Sequence, residues 1–172
     1  MDRQEHIREA HERAVKAMQG RSTLGKGTAT TRARWTGGLA CELEDGPWKL
    51  CADMGEKAGG DNSAPNPGVL GRSALASCLM AGYLMAAARA RVPIDGLEVE
   101  VQADYDARGE YGFDGYSPAY SQVRFVVTVA SPASETEIVA VLDEADRISP
   151  YLTIFKGAQE CVREVRIAER KG

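Results

Sequence analysis

Histidine is nearly missing from this 172-residue chain, which carries only His6 and His11. Cysteine is sparse too. Cys41, Cys51, Cys78 and Cys161 stand far apart, with no CxxC pair and no histidine nearby. Four irregularly spaced thiols exclude a zinc ribbon and are too few for a disulfide scaffold. Aromatic residues make up only 6% of the chain while glycine reaches 18 residues, so the core must use aliphatic and small side chains. A basic excess is also absent: Lys and Arg number 21 against 25 Asp and Glu, for a net charge of −4. A general nucleic-acid binder needs a basic surface, so that class is set aside. No apolar run reaches the ~20 residues that a bilayer requires. The longest, Ala74 to Ala88 between Arg72 and Arg89, is rich in Ala, Gly and Ser and reads as a buried core helix. The start, Met1-Asp2-Arg3-Gln4-Glu5-His6, has no apolar stretch of the signal-peptide kind. A cytoplasmic protein with reduced thiols is therefore expected, with neither membrane nor nucleic acid as a partner.

What is present is the composition of an ordinary globular domain, 44% hydrophobic and 27% charged. Residues 2–19 read as an amphipathic helix through Ile7, Ala10, Ala14, Val15 and Met18, ended by Gly20. Residues 1–26 are assigned as an N-terminal helical extension and 27–172 as a single domain. Three alternating runs follow the extension: Ala29 to Trp35, Leu39 to Leu43 and Trp48 to Met54. Gly37-Gly38 and Asp45-Gly46 supply turns, which predicts a three-stranded meander with one buried face. Cys41 shares its apolar parity and Cys51 its polar one. Residues 55–67 are dense in Gly, Pro and Asn, and serve either to line a site or simply to cross from sheet to helix. A helix over about 68–91 is apolar nearly all round and should be covered on most sides. Its small residues Gly71, Ala74, Ala81 and Gly82 allow another backbone to approach closely.

Two long strands are expected next, through Leu97 to Tyr105 and Val123 to Val129, around an irregular segment at 108–120. Ser134-Glu135-Thr136-Glu137 is a capping box that opens a helix to about Ile148. Ser149-Pro150 caps a shorter helix ending near Gly157. Cys161, Val165 and Ile167 suggest a last strand, with Cys41 and Cys161 as strand core residues. Strands come in runs rather than alternating singly with helices, so the class is α+β with mainly antiparallel pairing.

Cys78 is the most interesting residue. Its plain reading is a small hydrophobe in a core. A reactive cysteine needs a stabilised thiolate, and Cys78 sits too deep in its helix for the N-terminal dipole to help much. A cation from elsewhere in the fold would have to supply that help.

The stretch Asn66-Pro67-Gly68-Val69-Leu70-Gly71-Arg72-Ser73-Ala74-Leu75-Ala76-Ser77-Cys78 resembles the central-helix motif of the OsmC/Ohr family. Ser149-Pro150-Tyr151 stands where that family has Cys-Pro-Tyr or Cys-Pro-Val, and the strand order on both sides is also similar. The resemblance covers about residues 27–168. It implies an OsmC-like fold, with antiparallel sheet wrapped around a long central helix, and an intertwined homodimer with its sites at the subunit interface. It also implies thiol-dependent reduction of organic hydroperoxides, with Cys78 as the peroxidatic residue and an external dithiol such as a lipoyl group as reductant. Neither a metal nor a bound cofactor is implied.

Three positions depart from that pattern. Ser149 replaces the resolving cysteine, and a hydroxyl cannot form a disulfide. A serine before proline is also a good helix cap. Gly68 stands where the Ohr branch has a Glu, ten residues before its cysteine. Leu39 follows Gly37-Gly38 where that branch has an Arg. Arg32, Arg34 and Lys57 are candidate replacement cations, and each also reads as a solvated surface charge. Two readings stay open. One is a single-cysteine hydroperoxide reductase using an external thiol, with Cys41, Cys51 or Cys161 as resolving partner only if close in space. The other is a non-catalytic dimer that binds an apolar small molecule or a protein partner, the N-terminal helix being an extra surface.

Overall fold

The computed structural model describes residues 3–21 and 23–168. Asp2, the first residue of the expected N-terminal helix, lies outside the described residues. So do the outermost ends of the two assigned segments, residues 1–2 and 169–172. The chain runs α1 (Arg3–Gly20), β1 (Arg32–Gly37), β2 (Ala40–Asp45), β3 (Trp48–Ala52), then a short 3-10 turn (Glu56–Ala58). It continues as α2 (Pro67–Ala90), β4 (Gly96–Asp104), α3 (Ala107–Glu110), β5 (Gln122–Ala130), α4 (Glu135–Arg147) and α5 (Pro150–Lys156). All strand pairs are antiparallel, β1-β2-β3 in one sheet and β4-β5 in the other. The class is α+β, with antiparallel sheets and one long helix.

Local chemistry sets the helix ends. Asn66 caps α2 through a side-chain oxygen that accepts the Val69 N–H, and Pro67 occupies the first turn, where its missing N–H costs nothing. Arg91 closes the helix in the left-handed conformation, φ 58°. The Ser134 hydroxyl and the Glu137 carboxylate complete a reciprocal capping box at α4. Ser149 caps α5 by accepting the Leu152 N–H. In the β2–β3 hairpin Asp45 pairs with Trp48, so the two turn residues are Gly46 and Pro47. Gly46 takes φ 55°, which suits the first central position of a tight hairpin turn.

The core sits on one side of α2. Leu75, Leu79, Tyr83, Ala86 and Ala87 join Val92, Val141, Ala145 and Leu152 in it. Inward residues of β4 and β5, among them Val99, Val101, Phe125 and Val127, pack against this cluster. Glu98, Glu100, Gln102 and Asp104 alternate out to solvent. Burying a side chain such as Leu79 contributes about 1.5–3 kcal/mol relative to exposure. Gly82 faces Ala145 of α4, where an added Cβ would find an ordinary contact 3.8 Å from that of Ala145. The α1 helix lies on α2, with Gln4 donating to the Val92 carbonyl and Arg89 reaching His11.

Several expectations are corrected. The meander forms with the expected alternation, but its apolar face is not buried within the chain: Trp35 is 78% exposed and Trp48 73%. Among the described residues, no helix or second sheet packs closely over it. The α2 helix is covered by α1, β4, α4 and α5, as expected, except along one open stripe. Val69, Ser73, Ser77, Ala81 and Met85, spaced four apart along the helix, remain exposed. The last strand does not form: residues 158–168 have no regular structure, and Val162, Val165 and Ile167 face solvent. Cys161, Val165 and Ile167 keep the alternation of a strand, but among the described residues no strand lies beside them to accept the hydrogen bonds. Cys161 is accordingly exposed rather than part of a core. The irregular segment after β4 contains one short helix, α3.

Candidate functional site

Cys78 lies in the middle of α2, half-buried on the flank that faces α4 and α5. Its Sγ is 3.7 Å from the Oγ of Ser149, 71 residues further along the chain. The site residue and the position matched to the resolving cysteine are thus brought together within one chain. Ser149 is buried, 4% exposed. Its oxygen already accepts the Leu152 N–H as the α5 cap. The hydroxyl keeps its one proton to donate, and either it or the Cys78 thiol can be the donor in this contact.

The helices around this contact run antiparallel in a regular match. Cys78 meets Ser149, Gly82 meets Ala145, and Ala86 with Ala90 shares a groove with Val141 and Glu137. That groove, about 520 Å³ and shallow, is also edged by Arg89 and Glu144. It lies toward the far end of α2, and Cys78 is not in its lining. Between the groove and Cys78 the Tyr83 hydroxyl donates to Asp146 Oδ1 at 2.8 Å. Burial, with the Asp146 carboxylate beside it, pushes the Tyr83 phenol well above its ordinary range. Sequence reasoning missed this pair. Its one signal was a lone tyrosine in an Ala- and Leu-rich helix, because a buried hydroxyl needs a partner.

The candidate cations are placed as follows. Arg34 is exposed and ion-paired with Glu44 across the meander's charged face, which raises the Arg34 pKa and lowers that of Glu44. Arg32 lies on the same face, opposite Glu44, and is exposed. Lys57 is exposed in the 3-10 turn. Among the described residues, none of these three bonds to Cys78. Leu39 is exposed in the β1–β2 turn. Beside Gly68 the Arg72 guanidinium donates to the Tyr120 hydroxyl at 3.2 Å, a second pair missed from sequence. The sulfurs of Cys41, Cys51 and Cys161 are all free, with Cys51 and Cys161 exposed.

The segment 55–67 folds back on a buried carboxylate. Asp53 accepts the Ser63 N–H and hydroxyl and the N–H groups of Met54 and Asp61. The Ser63 bonds, first of these, hold the Asp53 carboxyl below its usual range. Gly60 is required there, because a Cβ would lie 2.1 Å from the Met54 carbonyl oxygen. These bonds describe a built crossover into α2. Among the described residues no group of three His, Cys, Asp or Glu side chains is placed to hold a metal.

Comparison with known proteins agrees with this architecture. An OsmC-like protein from Mycoplasma pneumoniae has the same fold at TM-score 0.66 and 19% identity, over 77% of this chain and 89% of that one. An organic hydroperoxide resistance protein OsmC from Legionella pneumophila gives 0.57 at 18% identity, over 76% and 90%. One from Vibrio cholerae, with captopril bound in one of its active sites, gives 0.56 at 17% identity, over 80% and 91%. No curated protein matches the chain. The family model described as OsmC-like protein matches residues 60–162, which takes in α2, both strands of the second sheet, α4 and α5. The chain is a member of the OsmC-like protein family.

Proposed function

We propose that this protein reduces organic hydroperoxides through Cys78 as its single reacting cysteine. The observation that carries the reading is the Cys78–Ser149 contact, a thiol with a hydroxyl 3.7 Å away on the cap of a neighbouring helix. The Cys78 thiolate attacks a peroxide oxygen. The S–O bond forms as the O–O bond breaks, and the alkoxide takes a proton and leaves as an alcohol. Cys78 is left as a sulfenic acid. With Ser149 in place of a second thiol, a small external thiol or lipoyl dithiol attacks the sulfenic sulfur and expels water. A second thiol then releases Cys78 as the mixed disulfide is exchanged. The Ser149 hydroxyl donates to the sulfur in its anionic states. The Legionella and Vibrio relatives are named as organic hydroperoxide resistance proteins, which supports the reaction class.

The proposal includes a homodimer. The exposed stripe of α2 and the open apolar face of the meander are the surfaces a second copy would cover, and such contiguous apolar faces are uncommon on monomers. A solution mass twice that of the chain is expected by light scattering.

The chemistry is tested by adding cumene hydroperoxide, trapping sulfenic acid with a dimedone-type reagent and locating the adduct by mass spectrometry. The adduct is expected on Cys78. If Cys78 stays reduced while peroxide persists, the reading fails. The non-catalytic alternative would then be pursued by a thermal-shift screen with apolar ligands.

A further inference from the structure

We infer that Tyr83 and Asp146 are a positioning pair that sets the distance between Ser149 and Cys78. The inference rests on the assignment of Cys78 and Ser149 as the site, and not on peroxide turnover. Tyr83 stands five residues after Cys78 on α2 and is 2% exposed. Its hydroxyl donates to Asp146 Oδ1 at 2.8 Å, across 63 residues of sequence. Asp146 lies in the last turn of α4, and its carbonyl accepts the Ser149 N–H at 3.3 Å. Ser149 then places its Oγ 3.7 Å from Cys78 Sγ. The chain of contacts starts and ends on α2 and passes through the junction of α4 and α5.

That junction needs a tether. The α4 helix ends at Arg147 and α5 begins at Pro150, so only Ile148 and Ser149 lie between them. Ile148 is 47% exposed and anchors little. Ala145 is packed in the core cluster but makes no directional bond to α2. Among the described residues, the Tyr83–Asp146 bond is the directional side-chain link between α2 and the end of α4. A hydrogen bond to a charged acceptor is among the stronger ones, enough to hold one arrangement of a two-residue junction. Without it the α5 cap can shift while α4 remains folded, and a shift of about 1 Å is the scale on which reactive geometry is lost.

The test uses Ser149→Cys as a ruler. In mixtures of reduced and oxidised glutathione, oxidised glutathione takes the two electrons as Cys78 and the introduced thiol close a disulfide. The position of that equilibrium gives their effective concentration. Adding Tyr83→Phe, which keeps the ring and removes only the hydroxyl, is expected to lower it about tenfold or more. Asp146→Ala should do the same. Asp146→Asn, whose amide oxygen still accepts from Tyr83, should restore it to near the Ser149→Cys value. Leu142→Ala, a loss of packing away from the junction, should leave it unchanged although it lowers stability. The proposal is overturned if Tyr83→Phe leaves the effective concentration unchanged or if Leu142→Ala lowers it equally. It also fails if Ser149→Cys forms no disulfide with Cys78. Peroxide turnover does not enter the readout, so an inert wild-type protein would end the enzymatic reading and leave this one standing.

Discussion

The two sheets of this molecule have similar alternating sequences and opposite fates. The β4–β5 hairpin lays Val99, Val101, Phe125 and Val127 onto α2, and the cluster closes within one chain. The β1–β3 meander turns Trp35, Trp48 and Leu50 to solvent. Both are well-formed antiparallel sheets. The difference is that only one of them has a helix of the same chain to cover it. Alternation therefore specifies which face of a strand is apolar, whereas burial depends on a partner that alternation does not name.

Substitutions on the two sides should separate accordingly. The largest effect is expected at Leu79, 1% exposed beneath the second sheet. Leu79→Ala should cost about 2–5 kcal/mol in urea unfolding. An effect below 1 kcal/mol would mean the core is not closed as described. Ser149→Ala comes next. It removes the α5 cap while leaving α4 intact, and should cost about 1 kcal/mol. Leu50→Ala, on the open meander, should be the mildest. At concentrations where the chain is monomeric it should stay within about 0.5 kcal/mol of the parent. At higher concentration it should weaken self-association, and the unfolding midpoint of the parent should rise with concentration. An equal cost at Leu50 and Leu79 in the monomer would erase the comparison.

Asp53 offers a pH test at the junction between the two halves. Its pKa is lowered in the folded state by the Ser63, Met54 and Asp61 donors. A depressed folded pKa gives stability that is present above the unfolded value, about 3.9 for Asp, and is lost as pH falls through the folded one. Asp53→Asn should therefore flatten the acid limb of the stability curve below about pH 4 and leave its neutral shape unchanged. An unaltered acid limb would mean that these bonds do not favour the ionised carboxylate.

How much was legible in the sequence follows the range of each interaction. The caps at Ser134 and Ser149 span three residues and were readable directly. So were the strands, because their period is local. The open meander face and the unformed last strand were not, since Val165 and Ile167 alternate properly and simply lack a neighbour. The Cys78–Ser149 contact joins residues 71 positions apart, and no local pattern carries it. It could be anticipated only through resemblance to the family motif. The Tyr83–Asp146 bond escaped both routes, because nothing about Asp146 distinguishes it locally from the other acids of α4.

The most direct test of the central claim is hydroperoxide consumption driven by a small dithiol, compared between the wild-type protein and Cys78→Ser. Dithiol-dependent turnover is expected to disappear in Cys78→Ser and to persist in Cys41→Ser, Cys51→Ser and Cys161→Ser. Equal turnover with and without Cys78, or none in the wild-type protein, would contradict it.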